Sequence, residues 1–89
     1  TTISLSSIQL PTQQPRRYFD LQKLQQLAES IKAHGILEPL LVRPIAGDRY
    51  ELVAGERRYR AAKEVGLQEV PVVIRELSDL QAVELALIE

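Results

Sequence analysis

The chain contains no cysteine, and that absence removes a group of chemistries at once: disulfide cross-links, thiolate metal ligands and thiol nucleophiles. Histidine is almost absent as well. His34 stands alone, which excludes a metal site built from several imidazoles. Redox chemistry carried by protein side chains is therefore out. No apolar run approaches the roughly 20 residues that a membrane-spanning helix needs, and neither a signal peptide nor a transit peptide can be read in the sequence, so the expectation is a cytoplasmic protein. Net charge is also scarce, at −1, which argues against a surface that attracts nucleic acid over its whole extent. What remains is 89 residues with 45% hydrophobic content, enough for one small domain. At that size a single core is only marginally stabilising, so contacts from a partner chain or a further segment are expected to help.

The charge that is present is segregated. From Arg43 to Lys63 six basic residues face three acidic ones, a local balance of +3; from Glu64 to Glu89 a single arginine, Arg75, meets six carboxylates, a balance of −5. The basic stretch surrounds residues 54–62, Ala-Gly-Glu-Arg-Arg-Tyr-Arg-Ala-Ala. Upstream, Arg49 to Ala54 alternates and is rich in strand formers. Downstream, Ala61, Ala62 and Val65 fall at helical spacing. Gly55 thus punctuates a strand and a helix. The first backbone N–H groups of a helix lack internal partners and carry the positive end of its dipole, so an anion can settle there if the chain comes close. Glycine permits that approach. Arg57 and Arg58 add planar guanidinium forks that match phosphate oxygens; being adjacent, they point about a third of a turn apart, so one faces the site and the other reaches in from the rim. A glycine before a helix also serves as a plain turn, and Arg57, Arg60 and Lys63 also fit a solvated helix face, so the local pattern leaves both readings open.

Elsewhere, Ile3 to Leu5 reads as a short strand, followed by a polar loop from Gln9 to Arg17 marked by Pro11 and Pro15. Asp20 suits the N-cap of a helix whose apolar stripe is Leu21, Leu24, Leu27, Ala28 and Ile31, ended by Gly35. His34, in its last turn, complements the helix dipole. Leu40 to Arg43 and Arg49 to Ala54 read as a hairpin turning through Ala46-Gly47-Asp48. Gly66 ends the Glu56 to Val65 helix. Val70 to Ile74 reads as a buried strand whose Pro71 predicts an edge or first position. Ser78 with Gln81 forms a capping box for a helix from Asp79 to Glu89. No stop signal comes after Glu89, so the helix, and with it the protein, is expected to continue. The elements amount to an α+β fold, a small mixed sheet of about four strands with three to four helices.

Several short motifs in fixed order carry a resemblance. Gln14-Pro15-Arg16-Arg17, then Leu27-Ala28-Glu29-Ser30-Ile31 with Gly35-Ile36 and Pro39-Leu40, then Gly55-Glu56-Arg57-Arg58-Tyr59-Arg60-Ala61-Ala62 together resemble the N-terminal domain of ParB chromosome and plasmid partition proteins, over nearly the whole of residues 1–89. The resemblance implies the fold shared with sulfiredoxin. It also implies binding and slow hydrolysis of CTP, which switches a ParB dimer into a clamp that slides on DNA. By the same resemblance Gly55, Glu56, Arg57 and Arg58 match the triphosphate motif, and Gln14 and Arg16 match the first nucleotide motif. Ala86-Leu87-Ile88-Glu89 looks like the start of a third motif, in which an acidic residue, here Glu89, takes part in magnesium coordination and hydrolysis; the asparagine that comes after it in the family lies outside this sequence. Gln14, Glu56 and Glu89 are the candidates for catalysis. For Glu56 the plain alternative is a first-turn acid that favours the helix dipole, and for Glu89 a surface carboxylate. Implied partners are DNA, a ParA-type ATPase and a second copy of the chain, at the nucleoid. The family's helix-turn-helix and C-terminal dimerisation regions are not among these residues.

Two other classes of function stay open on sequence grounds. One is a non-catalytic module whose basic stretch touches DNA backbone, weakening steeply with salt, or an ATPase partner. The other, a ParB-like nuclease, lacks carboxylates or histidines at metal-ligand spacing. A sulfiredoxin-type reductase fails outright for want of a cysteine.

Overall fold

A computed structural model of the chain describes residues 1–11 and 20–88. The predicted first strand begins one residue early: β1 is Thr2–Ser4, and Leu5 belongs to a 3₁₀ turn, Leu5–Ser7, that buries its side chain. A two-residue strand, β2 (Ile8–Gln9), comes next. Then come α1 (Leu21–His34), the hairpin β3 (Leu40–Pro44) and β4 (Tyr50–Ala54), α2 (Glu56–Val65), β5 (Glu69–Ile74) and α3 (Asp79–Ile88). The strands form one sheet in the order β1-β5-β3-β4-β2. β1 runs antiparallel to β5 and β3 antiparallel to β4, while β3–β5 and β4–β2 are parallel. The described residues thus hold five strands and three helices, one strand more than the sequence suggested.

Pro71 does not lie on an edge, as its missing N–H had implied, because β5 is flanked by β1 and β3. The backbone resolves the conflict. Val72 N donates to Thr1 O at 2.8 Å, so alternate residues direct their N–H towards β1 and position 71 faces β3. Pairing with β3 starts only at Leu40 opposite Val72. The proline therefore sits where no ladder bond is yet due.

Alternation sets the core. Leu40, Val42, Val70 and Val72 point one way from the sheet and pack with Leu52 against Tyr59 and Ala62 of α2, joined by Leu5 and Ile8. Leu40, Val42 and Val70 are fully buried; truncating such a leucine to alanine costs about 2–5 kcal/mol. α1 then lies on α2. Ala28 and Ile31 meet Ala61, with Leu24, Leu27 and Val65 around them, and the two alanines let the helix backbones approach. Leu21, expected in the same stripe, is exposed because its turn lies beyond the stretch from Leu24 to Ile31 that meets α2.

Both expected side-chain caps form. Asp20 Oδ1 accepts from the backbone N of Gln22 (2.9 Å) and Lys23 (3.3 Å) at the start of α1. At α3 the box closes in both directions: Gln81 N donates to Ser78 Oγ (3.2 Å) and Ser78 N to Gln81 Oε1 (3.0 Å). Among the described residues no helix is long and apolar enough to cross a membrane.

Candidate functional site

The end of β4 departs from regular pairing just before the glycine. Val42 pairs with Leu52 but Leu41 pairs with Ala54, so Val53 has no opposite number in β3. Such a bulge bends a strand and re-aims the chain beyond it. Directly after the strand stands Gly55, at φ 99° and ψ 30°, a left-handed conformation that side chains other than hydrogen resist. Space forbids a side chain as well. A Cβ at Gly55 would lie 2.8 Å from Leu40 Cδ2 and 3.3 Å from Arg58 Nη2. Tyr59 N donates to Gly55 O at 2.9 Å, closing the first turn of α2.

The N–H groups of that turn precede any intrahelical partner, and Gly55 has no side chain to cap them, in contrast to Asp20 on α1 and Ser78 on α3. They open on a cleft of about 550 Å³ lined by Leu52 to Arg58, with Pro11, Leu27, Ala86 and Leu87. Its lining is of two chemical kinds. The helix N-terminus with Arg57 and Arg58 is positive, whereas Pro11, Leu27, Leu52, Ala86 and Leu87 form apolar walls. An elongated ligand with a flat or apolar head and an anionic tail fits that division.

The structure treats the predicted site residues unequally. Gly55, Glu56, Arg57 and Arg58 come together at the cleft. Gln14, Arg16 and Glu89 lie outside the described residues. Arg58 has a second task. Its Nη1 donates to Glu38 O (2.9 Å) and Pro39 O (3.0 Å) and lies 3.5 Å from Glu38 Oε2, tying the loop before β3 to the glycine junction. The guanidinium is thereby oriented before any ligand arrives. Glu56 Oε2 accepts from Arg60 Nε (2.9 Å) and Nη2 (2.8 Å), an i,i+4 pair along α2. Among the described residues no three His, Asp or Glu side chains gather at metal-ligand distance.

Sequence reading found the apolar wall only in part. Leu27 looks like an ordinary helix residue; Ala86 and Leu87 stood in the third motif only as lead-in to Glu89, and the packing of α3 beside β4 brings these two themselves to the cleft. Also missed was Arg43, which joins β3, β4 and the start of α3. It stands directly opposite Glu51 in the hairpin register, the one signal that could have revealed it.

A mixed sheet with two packed helices, and a cleft at the junction of β4 and α2, define the class: a small α+β domain. The model of the ParB N-terminal domain matches residues 1–89, and the chain belongs to that family. The chain is 58% identical over 87 residues to the probable chromosome 2-partitioning protein ParB of Deinococcus radiodurans, covering 98% of this chain and 29% of that protein. It is also 58% identical to the chromosome-partitioning protein Spo0J of Thermus thermophilus, with 98% and 32% covered. It therefore spans about a third of the curated relatives it matches. Among solved structures, the C-terminally truncated ParB of Caulobacter crescentus complexed with CTP-γ-S superposes with a TM-score of 0.93 at 42% identity, over 99% of this chain and 50% of that one. The same protein complexed to the centromeric parS site gives 0.87 at 41% identity, over 100% and 46%. Sulfiredoxin from Arabidopsis thaliana gives 0.77 at 25% identity, over 96% and 93%.

Proposed function

We propose that this domain is the nucleotide-binding part of a ParB-type partition protein, and that it takes CTP at the Gly55 junction. The observation that carries the reading is the junction itself: a helix N-terminus whose N-cap is glycine, a Cβ position that is blocked and two arginines, all on one cleft that also has apolar lining. The Caulobacter relative that superposes so well was solved with a CTP analogue, which supports cytosine as the base. In this reading the backbone N–H groups of the first turn of α2 and the Arg57 and Arg58 guanidinium groups hold the triphosphate, and Gln14 and Arg16 complete the site from the preceding loop. Arg58, held on the carbonyls of residues 38 and 39, gives a donor fork of fixed position, so little ordering entropy is lost on binding. The base and sugar lie towards Leu27 and Leu87.

Magnesium would bring positive charge to the phosphates during slow hydrolysis, with Glu89 the candidate protein ligand. The described carboxylate on the cleft, Glu56, is paired with Arg60, which fits orientation of that side chain more directly than metal binding. In the full-length protein the domain then couples nucleotide state to a homodimer on DNA in the cytoplasm, at the nucleoid, with a ParA-type ATPase as partner. The Caulobacter protein's complex with parS supports the DNA part. A pure DNA-backbone module is less well supported, because Arg43, Arg58 and Arg60 of the basic stretch all lie in ion pairs with carboxylates. A nuclease has no support among the described residues.

The test is CTP affinity in the full-length protein carrying Gly55→Ser or Arg58→Ala. Loss of about tenfold or more in each is expected, the value of one charge-assisted contact or more. Unchanged affinity in both would refute the placement.

A further inference from the structure

Arg43 makes more side-chain contacts with the described residues than the nucleotide reading requires. Its position comes from the hairpin. Val42 faces the core, so the next residue points to the opposite side of the sheet, across from Glu51 on β4. There Nε donates to Glu51 Oε1 at 2.9 Å, Nη2 lies 2.8 Å from both Glu51 Oε1 and Asp79 Oδ1, and Nη1 donates to Leu77 O at 3.1 Å. One planar guanidinium thus joins two strands, the linker after β5 and the first residue of α3. It is largely covered, its side chain 13% exposed. Burial works against its charge, but hydrogen bonds to Asp79 and Glu51, with their attraction, outweigh this and hold its pKa above the ordinary arginine value. The cation persists at any pH at which the protein folds.

The rest of α3 is held weakly. Ala82 is its one buried side chain among the described residues, and Leu80, Val83 and Leu87 are exposed. Yet Ala86 and Leu87 form a wall of the cleft. A helix fixed mainly at its base transmits any error at that base to its far end. Leu87 is eight residues from Asp79, about 12 Å along the axis, so a tilt of about 10° at the base displaces the wall by about 2 Å. Small misplacements of that order are enough to degrade a site.

We propose that Arg43 is a positioning residue for the nucleotide cleft: by clasping Glu51, Asp79 and the Leu77 carbonyl, it sets the angle of α3 and so the wall formed by Ala86 and Leu87. The proposal rests on the nucleotide reading of that cleft and adds to it a residue that touches no ligand. It also divides the site by chemistry. Arg43 governs the apolar wall, where base and sugar would lie, and leaves the phosphate contacts at Gly55 and Arg58 untouched.

The experiment uses the full-length protein as wild type, Arg43→Ala, Arg43→Lys and Asp79→Asn. Amide hydrogen exchange is read on α3 and on the sheet, with titrations of CTP and of inorganic tripolyphosphate. In Arg43→Ala, exchange in α3 is expected to accelerate about tenfold while β3, β4 and β5 keep their protection, and CTP affinity is expected to fall about tenfold with tripolyphosphate affinity unchanged. Arg43→Lys should not restore the wild-type values, because an ammonium cannot span three partners as the planar fork does. Asp79→Asn, which alters a carboxylate whose side chain is 95% exposed, should weaken CTP by only about twofold. Wild-type α3 exchange and wild-type CTP affinity in Arg43→Ala would overturn the proposal. Equal loss of CTP and tripolyphosphate, with faster exchange across the sheet, would also overturn it, by making Arg43 a general stabiliser of the fold. Wild-type protein that binds no nucleotide would instead overturn the reading of the cleft, and this proposal with it.

Discussion

Gly55 and Gly66 bracket the same helix, both with positive φ, and the difference between them isolates what the cleft requires. At Gly66 an added Cβ meets nothing within 4 Å; at Gly55 it meets the fully buried Leu40. Gly66→Ala should therefore cost only the left-handed backbone penalty, about 1 kcal/mol, and leave nucleotide affinity intact. Gly55→Ala adds overpacking to that penalty and should cost about 2–4 kcal/mol, with loss of binding. Urea denaturation with a CTP titration on each variant checks both. Arg58→Lys should also be worse than its chemistry suggests. A single ammonium cannot reproduce both hydrogen bonds to the carbonyls of residues 38 and 39 and still face the phosphates, so a stability loss of about 1 kcal/mol is expected with weakened binding. The junction itself was legible in the sequence, because a strand, a glycine and a helix opening with arginines each carry a local pattern. The tie from Arg58 to the loop before β3 was not, since it joins positions about 20 apart whose approach only the fold sets.

Among the elements, those with local instructions were read well. Asp20 and Gly35 bound α1 where expected, and Ser78 with Gln81 starts α3 by a reciprocal cap. Ser78→Ala should weaken that cap by about 1 kcal/mol. With so little of α3 buried, the loss should appear as faster amide exchange within the helix rather than as a large fall in global stability. Elements defined by distant partners escaped. β2 has two residues and no pattern of its own; it exists because the chain returns alongside Tyr50 and Glu51 of β4. Pro71 argued for an edge, and the sheet instead accommodates it before pairing with β3 begins. The one-residue shift at the end of β4 was equally hidden, although it lies beside Gly55 and helps aim α2.

At the scale of the whole molecule, a near-neutral domain concentrates positive charge on one stretch and then neutralises much of it internally, through Arg43 with Glu51 and Asp79, Arg58 with Glu38, and Arg60 with Glu56. Glu51 and Glu56 already enter the balance of +3, and Glu38 and Asp79 from outside the stretch lower it further, so +3 overstates the field available to bind DNA nonspecifically. The central claim is that this cleft takes a cytidine triphosphate. Its most direct test is calorimetric titration of the full-length protein with CTP, UTP, ATP and GTP in the presence of magnesium. The account predicts saturable binding of CTP with the other three at least about tenfold weaker, a preference worth about 1.4 kcal/mol. Equal binding of all four would contradict the assignment of the base, and binding of none would contradict the nucleotide site itself.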